Sequence, residues 1–236
     1  MLDEGGTKTE RYPTAARVFA NGNHTDRASD IPAAKCVGHH GYLAESSDER
    51  QKNFANAQAT QPYILSLDAD EELSPQLIGS LLRAKQRGFT GAYSMHRLTN
   101  YCGTWVRHGG WYPDTKVRLF AKAHAKWAGA HVHETLELEP GTRVRLLQGD
   151  LLHYSYPTVQ DHLSRIERYS DLHARKLFTA GKRASAVKRW LSPVAKFVQG
   201  YWFQLGFLDG RAGLMIATLS AKAVRMKYEK LNALHR

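Results

Sequence analysis

Asp68-Ala69-Asp70 stands directly behind the apolar run YILSL, and Glu71 and Glu72 follow it, so four carboxylates crowd one strand end. Such a cluster repels itself unless something positive sits among its members. In open α/β sheets, ligands bind beyond the carboxyl ends of the strands. Two carboxylates one residue apart on an extended turn reach a hard divalent cation, and Mg²⁺ combines one or two protein carboxylates with substrate phosphates. A nucleotide diphosphate bridged through Mg²⁺ or Mn²⁺ would answer the repulsion. The alternative is an acidic first turn that complements the dipole of the following helix. That role suits Glu71 and Glu72, because Ser74-Pro75 is a good helix start.

A second constellation lies in GGWYPDTKVRLFAKAHAKWAGAHVHETLEL, residues 109–138. Trp111, Tyr112 and Trp127 offer flat apolar faces for a sugar ring or for a core. Lys116 and Arg118 alternate with Val117 and Leu119, so they share one strand face and could meet phosphate. A His-x-His pair on a strand points both rings one way, as metal ligands do, which draws attention to His131 and His133. A packed or hydrogen-bonded ring is the competing reading for His131. Glu134 has the chemistry of a general base.

The elements that must position these residues alternate between strand and helix. ERQKNFANAQA reads as a helix with Phe54 and Ala57 on one face, and YILSL reads as a buried strand. PQLIGSLLRAKQRG reads as a helix capped by Ser74 and closed by Gly88. GAYSMHRLTNYCGTWV and TKVRLFAKAHAKW each read as a strand, and TRVRLLQGDLLHYSY as one or two. After Pro157, TVQDHLSRIERYSDLHARKLF reads as a helix, with Leu163, Ile166, Tyr169 and Leu172 at three-residue steps. Residues 1–62 are the least regular, and Asn21–Glu49 reads as a long loop.

The 236 residues are 42% hydrophobic, which suits one domain of ordinary size or a domain with an appendage. Cys36 and Cys102 form no disulfide framework, so a reducing, cytoplasmic setting is the default, and the polar start MLDEGGTKTE is not a secretory signal. The net charge of +11 is concentrated late: from Leu151 onward there are 15 Lys+Arg against 5 Asp+Glu. Such a segment attracts nucleic acid, an anionic membrane or a phosphorylated substrate, and no nucleic-acid recognition motif accompanies it. FVQGYWFQLGFL and AGLMIATLSA, 12 and 10 uncharged residues bounded by charged ones, fall short of the roughly 20 needed to span a bilayer. They suit an interfacial helix, or a tail helix packed on the domain with its bases solvated.

SLDADEELSPQL, GWYPDTKVRLF, VHETLEL, HYSYPTVQDHLSRIERYS and FLDGRAGL, in that order, resemble the family 2 glycosyltransferases, specifically the bacterial lipopolysaccharide core β-glucosyltransferase subgroup. The resemblance runs from about Arg50 to Leu231. It implies a GT-A fold, a Rossmann-like α/β sheet of the nucleotide-diphospho-sugar transferases. Residues 1–155 would be the catalytic domain, and 156–236 a basic, helical, membrane-interfacial region. It further implies a UDP-sugar donor, glucose as the sugar, a divalent cation, inversion at the anomeric carbon and a lipid-linked saccharide acceptor at the inner face of the bacterial inner membrane. Asp3, Lys52, Asp68 and Asp70 would bind the donor, Asp70 and His133 the metal, and Glu134 would deprotonate the acceptor. Trp111, Tyr112, Lys116 and Arg118 would lie toward the acceptor and its phosphates. MLDEGGTKTE resembles the family's second-strand motif, and the family's first strand has no counterpart. A second expectation therefore stands beside the first: a catalytically degenerate relative that serves as a membrane-associated binding or scaffold module.

Overall fold

The structure, a computed structural model, describes residues 17–19, 48–128 and 135–235. In chain order the elements are β1 (Arg17–Phe19), α1 (Asp48–Gln58), β2 (Tyr63–Leu67), β3 (Glu71–Leu73), α2 (Pro75–Gln86), β4 (Ala92–Tyr101), β5 (Thr104–Val106), β6 (Asp114–Ala121), β7 (Ala125–Ala128), β8 (Thr135–Leu138), β9 (Val144–Tyr156), α3 (Val159–Thr179), α4 (Ala186–Val198) and α5 (Gly210–Ala233). The main sheet runs β1-β2-β6-β4-β9-β3, with β5 added to β4, and β7 and β8 form a separate antiparallel pair. A central sheet followed by C-terminal helices is the α/β class expected. The chain forms two compact units: the first comprises the residues up to Met95 together with Thr115–Leu151, the second His96–Asp114 with Leu152–Arg236.

In the first unit β2 is buried on both faces, which is why it reads as an unbroken apolar run. Successive side chains of a strand point to opposite faces. Leu65 and Leu67 accordingly join Leu77, Tyr93, Met95 and Leu119 in one cluster, while Ile64 joins Ala92 and Phe120 in another. The antiparallel register Leu65↔Leu119 and Ile64↔Phe120 sets β6 beside β2. α2 starts and stops where its sequence says. The Ser74 hydroxyl accepts from Leu77 N–H at 3.3 Å, Pro75 takes the first helical position, and Gly88 follows the C-cap with φ +78°.

Three details differ from expectation. In α1 Phe54 is 50% exposed and Asn56 is buried, while Ala55 and Ala59 pack against the Ile64 cluster; the small side chains, not the ring, bring this helix close to the sheet. The stretch expected as one strand over 91–106 is a hairpin, with Tyr101↔Thr104 paired across Cys102-Gly103. Both turn residues have positive φ, 49° and 87°, the conformation that joins twisted strands over two residues. In the second unit α3 buries His162, Ile166, Ser170 and Ala174, at four-residue steps, whereas Tyr169 and Leu172 are exposed. A three-residue row drifts around a helix of 3.6 residues per turn. Small Ser170 and Ala174 suit close packing, and α3 packs on α5. The second unit's own core is Tyr101, Val106, Ala212 and Ile216, with Trp111 and Tyr156 against it.

Candidate functional site

Behind β2 the chain turns through Asp68–Glu71 into β3, and this turn closes on itself. Glu71 N–H donates to the Asp68 carbonyl at 3.0 Å, and Asp68 N–H donates to Glu71 Oε2 at 3.1 Å. The positive partner demanded by the acidic cluster is Arg118 of β6. Its Nη2 donates to Asp68 Oδ2 at 2.6 Å and to Glu71 Oε1 at 2.5 Å. The Glu71 side chain is 0% exposed and that of Arg118 6%, so one guanidinium holds two carboxylates in a buried triad. The sheet places it there, because β6 is the antiparallel neighbour of β2.

A second cation approaches Asp68 from α1. Lys52 Nζ lies 3.7 Å from Asp68 Oδ1 and 4.6 Å from the centroid of the Trp127 ring. Asn53 sets this geometry. Its amide nitrogen donates to the Trp127 carbonyl at 2.8 Å, and its oxygen accepts from Trp127 N–H at 2.9 Å, so α1 is fastened to β7 next to the lysine. Burial acts to raise the Asp68 carboxyl, but the charges of Arg118 and Lys52 and the hydrogen bond from Arg118 outweigh it. They hold the group below its ordinary value, so Asp68 is ionised at neutral pH. Arg118, despite its burial, is held firmly protonated by Glu71 and Asp68.

These contacts revise one reading. Glu71 and Glu72 do not begin α2, whose first turn contains no acid. They lie in β3, with Glu71 turned inward onto Arg118 and Glu72 exposed. Arg118, expected toward a phosphate, directs its Nη2 onto Asp68 and Glu71. Lys116 is half-buried on the same strand. Of the three aromatic faces, Trp127 is buried beneath Lys52. Trp111 and Tyr112 belong to the second unit. Trp111 serves its core, with its ring 5.8 Å from Tyr101 and 5.5 Å from Tyr156. Tyr112 carries Arg107 over its face at 5.2 Å and meets His96 edge-on at 5.8 Å.

Two residues to which the sequence assigned no such role prove structural. Glu71 closes the acidic turn, and nothing in the local sequence separates it from Glu72. In the second unit Asp209 accepts from the backbone N–H of Arg107 at 3.2 Å and of His108 at 2.8 Å, and its Oδ1 meets His108 Nδ1 at 2.9 Å. It fixes the loop that leads into Trp111 and Tyr112. Here a signal was present: between Asp171 and Glu229, Asp209 is the sole acid among eleven Lys and Arg.

Asp3, His131, His133 and Glu134 lie outside the described residues. Among the described residues no group of three or more His, Cys, Asp and Glu could hold a metal by itself. The donor set nonetheless fits a hard cation that draws its other ligands from a bound diphosphate. Asp70, half-buried between the two ends of the closed turn, is the carboxylate that would hold such an ion.

No protein-family model matches the chain. Curated bacterial proteins do. An uncharacterized glycosyltransferase of Rickettsia typhi is 25% identical over 195 residues, which cover 78% of this chain and 66% of the relative. A counterpart in Rickettsia prowazekii matches to the same extent. The lipopolysaccharide core biosynthesis glycosyltransferase LpsC of Rhizobium meliloti is 26% identical over 196 residues, covering 75% of this chain and 69% of the relative. The chain thus spans about two-thirds of the length of the relatives it matches. It is a homologue of curated bacterial glycosyltransferases, one of them named for lipopolysaccharide core biosynthesis.

Proposed function

We propose that the chain is an inverting, cation-dependent glycosyltransferase of GT-A type. It would move a sugar, glucose, from a UDP-sugar to a lipopolysaccharide core or another lipid-linked saccharide. The observation that carries this reading is the braced turn Asp68–Glu71, with an ionised Asp68 between Arg118 and Lys52.

In this reading Asp68 and Lys52 meet the donor. The Lys52 ammonium, 3.7 Å from Asp68, would meet a phosphate oxygen of the donor as a point charge. Asp70, with His133, would hold Mg²⁺ or Mn²⁺ against the diphosphate. The ion supplies positive charge where negative charge develops on the departing group. Glu134 takes the proton from the acceptor hydroxyl. The acceptor oxygen then bonds to the anomeric carbon from the face opposite the diphosphate, the carbon–oxygen bond to the diphosphate breaks, and configuration inverts in one displacement. Arg118 and Glu71 hold the turn still.

Calorimetric titration of a UDP-sugar in the presence of Mn²⁺ tests the donor site. Binding by the native chain, weakened at least tenfold in Asp70→Asn and in Lys52→Met with unfolding midpoints preserved, is the expected result. No binding, or binding indifferent to both substitutions, would sink the assignment. Binding without transfer to any saccharide acceptor would favour the alternative, a binding module.

A further inference from the structure

We propose that the apolar face built by α4 and the two turns that follow it docks in the plane of an anionic phospholipid bilayer. α4 exposes Val187, Trp190, Leu191 and Val194. Their spacing of i, i+3, i+4 and i+7 draws one stripe along the helix, roughly 10 Å long from Val187 to Val194 at 1.5 Å per residue. The stripe faces solvent, and α4 also packs against α5. A π-helical turn, Gln199–Phe203, follows with Trp202 at 58% exposure and Phe203 at 81%, and then a 3-10 turn, Gly206–Asp209, with Phe207 and Leu208 exposed.

This surface is not a loosely held tail. A Cβ on Gly206 would stand 2.6 Å from the Gly200 carbonyl oxygen, and one on Gly213 would collide with the Gly206 carbonyl. The turns and the start of α5 therefore meet backbone to backbone. A protein that keeps its own apolar surface inside rarely leaves so many large apolar side chains of one short segment in the open, and exposed apolar surface of this kind marks docking sites.

Charge selects the occupant. Between Asp171 and Glu229 the chain has eleven Lys and Arg and one acid, Asp209. That acid is turned inward onto the Arg107 and His108 amides, with its side chain 6% exposed. The segment thus presents bases and aromatic rings without an exposed carboxylate. Trp and Phe rings sit well at headgroup depth, and Lys and Arg meet lipid phosphates. Among the described residues no helix is long and apolar enough to cross a membrane, so the face lies on the bilayer rather than through it. The inference stands on the second unit alone and is independent of the donor chemistry.

Flotation of the full chain with vesicles tests it, in the absence of any nucleotide sugar. Partition onto phosphatidylcholine vesicles containing phosphatidylglycerol, and not onto phosphatidylcholine alone, is expected, with release at high salt. Trp202→Ser/Phe203→Ser should lower that partition by about tenfold or more. Phe203 is 81% exposed, whereas Trp202 also meets the Tyr201 and Phe207 rings, so Phe203→Ser alone, expected to lower partition with its unfolding midpoint unmoved, serves as the second variant. Absence of binding to the anionic vesicles, or equal flotation of the double variant, overturns the proposal. So does a dimer that the double variant dissociates while neither form floats, which would give the face to a second copy. Donor calorimetry, run separately, keeps this outcome distinct from failure of the glycosyltransferase reading.

Discussion

Replacing Arg118 by Met removes the guanidinium that holds Asp68 and Glu71 while keeping much of the side chain's apolar stem. The Glu71 carboxylate, 0% exposed, then stays buried without its cation. Breaking a buried ion pair from one side costs about 3–5 kcal/mol, mostly as the penalty of the charge left behind. At about 2–4 °C per kcal/mol for a chain of this size, the unfolding midpoint should fall by about 6–20 °C. The companion variant Glu71→Gln/Arg118→Met removes the stranded charge and should recover a large part of the loss. Thermal and urea unfolding of the single variants and the pair closes the cycle. The loss should also depend on pH. Asp68 is held below its ordinary 3.8, so it adds stability that is present above that value and lost as pH falls through the lowered one. Without Arg118 most of that contribution goes, and the gap between native chain and variant should narrow in acid. A loss under about 1 kcal/mol, or a pair whose effects simply add, would refute the buried triad.

Two further outcomes follow from the same structure. His162 is buried against the Tyr101 hydroxyl at 3.0 Å, and its value is pushed down to about 4, first by burial and then by the Arg165 charge. It stays neutral in the fold while the unfolded chain takes up a proton below 6.5, so stability should fall as pH drops from 6.5 toward 4. His162→Gln should flatten that part of the profile in urea titrations at fixed pH. Gly149 has φ +100°, and an added Cβ would run into the Leu77 backbone. Gly149→Ala should therefore cost at least about 1–3 kcal/mol, measured by urea unfolding.

The sequence was most legible where a local rule had no tertiary competitor. The Ser74-Pro75 start, the Gly88 stop and the buried run Tyr63–Leu67 emerge as read, because capping and strand burial leave direct marks on residue type. Legibility failed where packing chose between equivalent patterns. α1 turns Asn56 inward because it sits beside the small Ala55 and Ala59 on the sheet-facing side, and α3 chooses Ser170 and Ala174 over Tyr169 and Leu172. In the acidic cluster Asp68 and Asp70 stood out. Glu71 could not be separated from Glu72, because its partner lies 47 residues away on β6. Only the antiparallel register with β2 makes those two residues meet.

The doubly closed turn has a consequence for affinity. A loop that orders when its ligand arrives gives up conformational freedom at that moment, on the order of 1–2 kcal/mol per residue fixed. Asp68–Glu71 has already surrendered that freedom during folding, to two backbone-linked hydrogen bonds and one arginine. Any ligand gripped by Asp70 therefore meets a carboxylate whose flanks are already ordered, and little of its binding energy is consumed in arranging them. Loosening the brace would be expressed as weaker affinity even if every atom that touches the ligand were left in place.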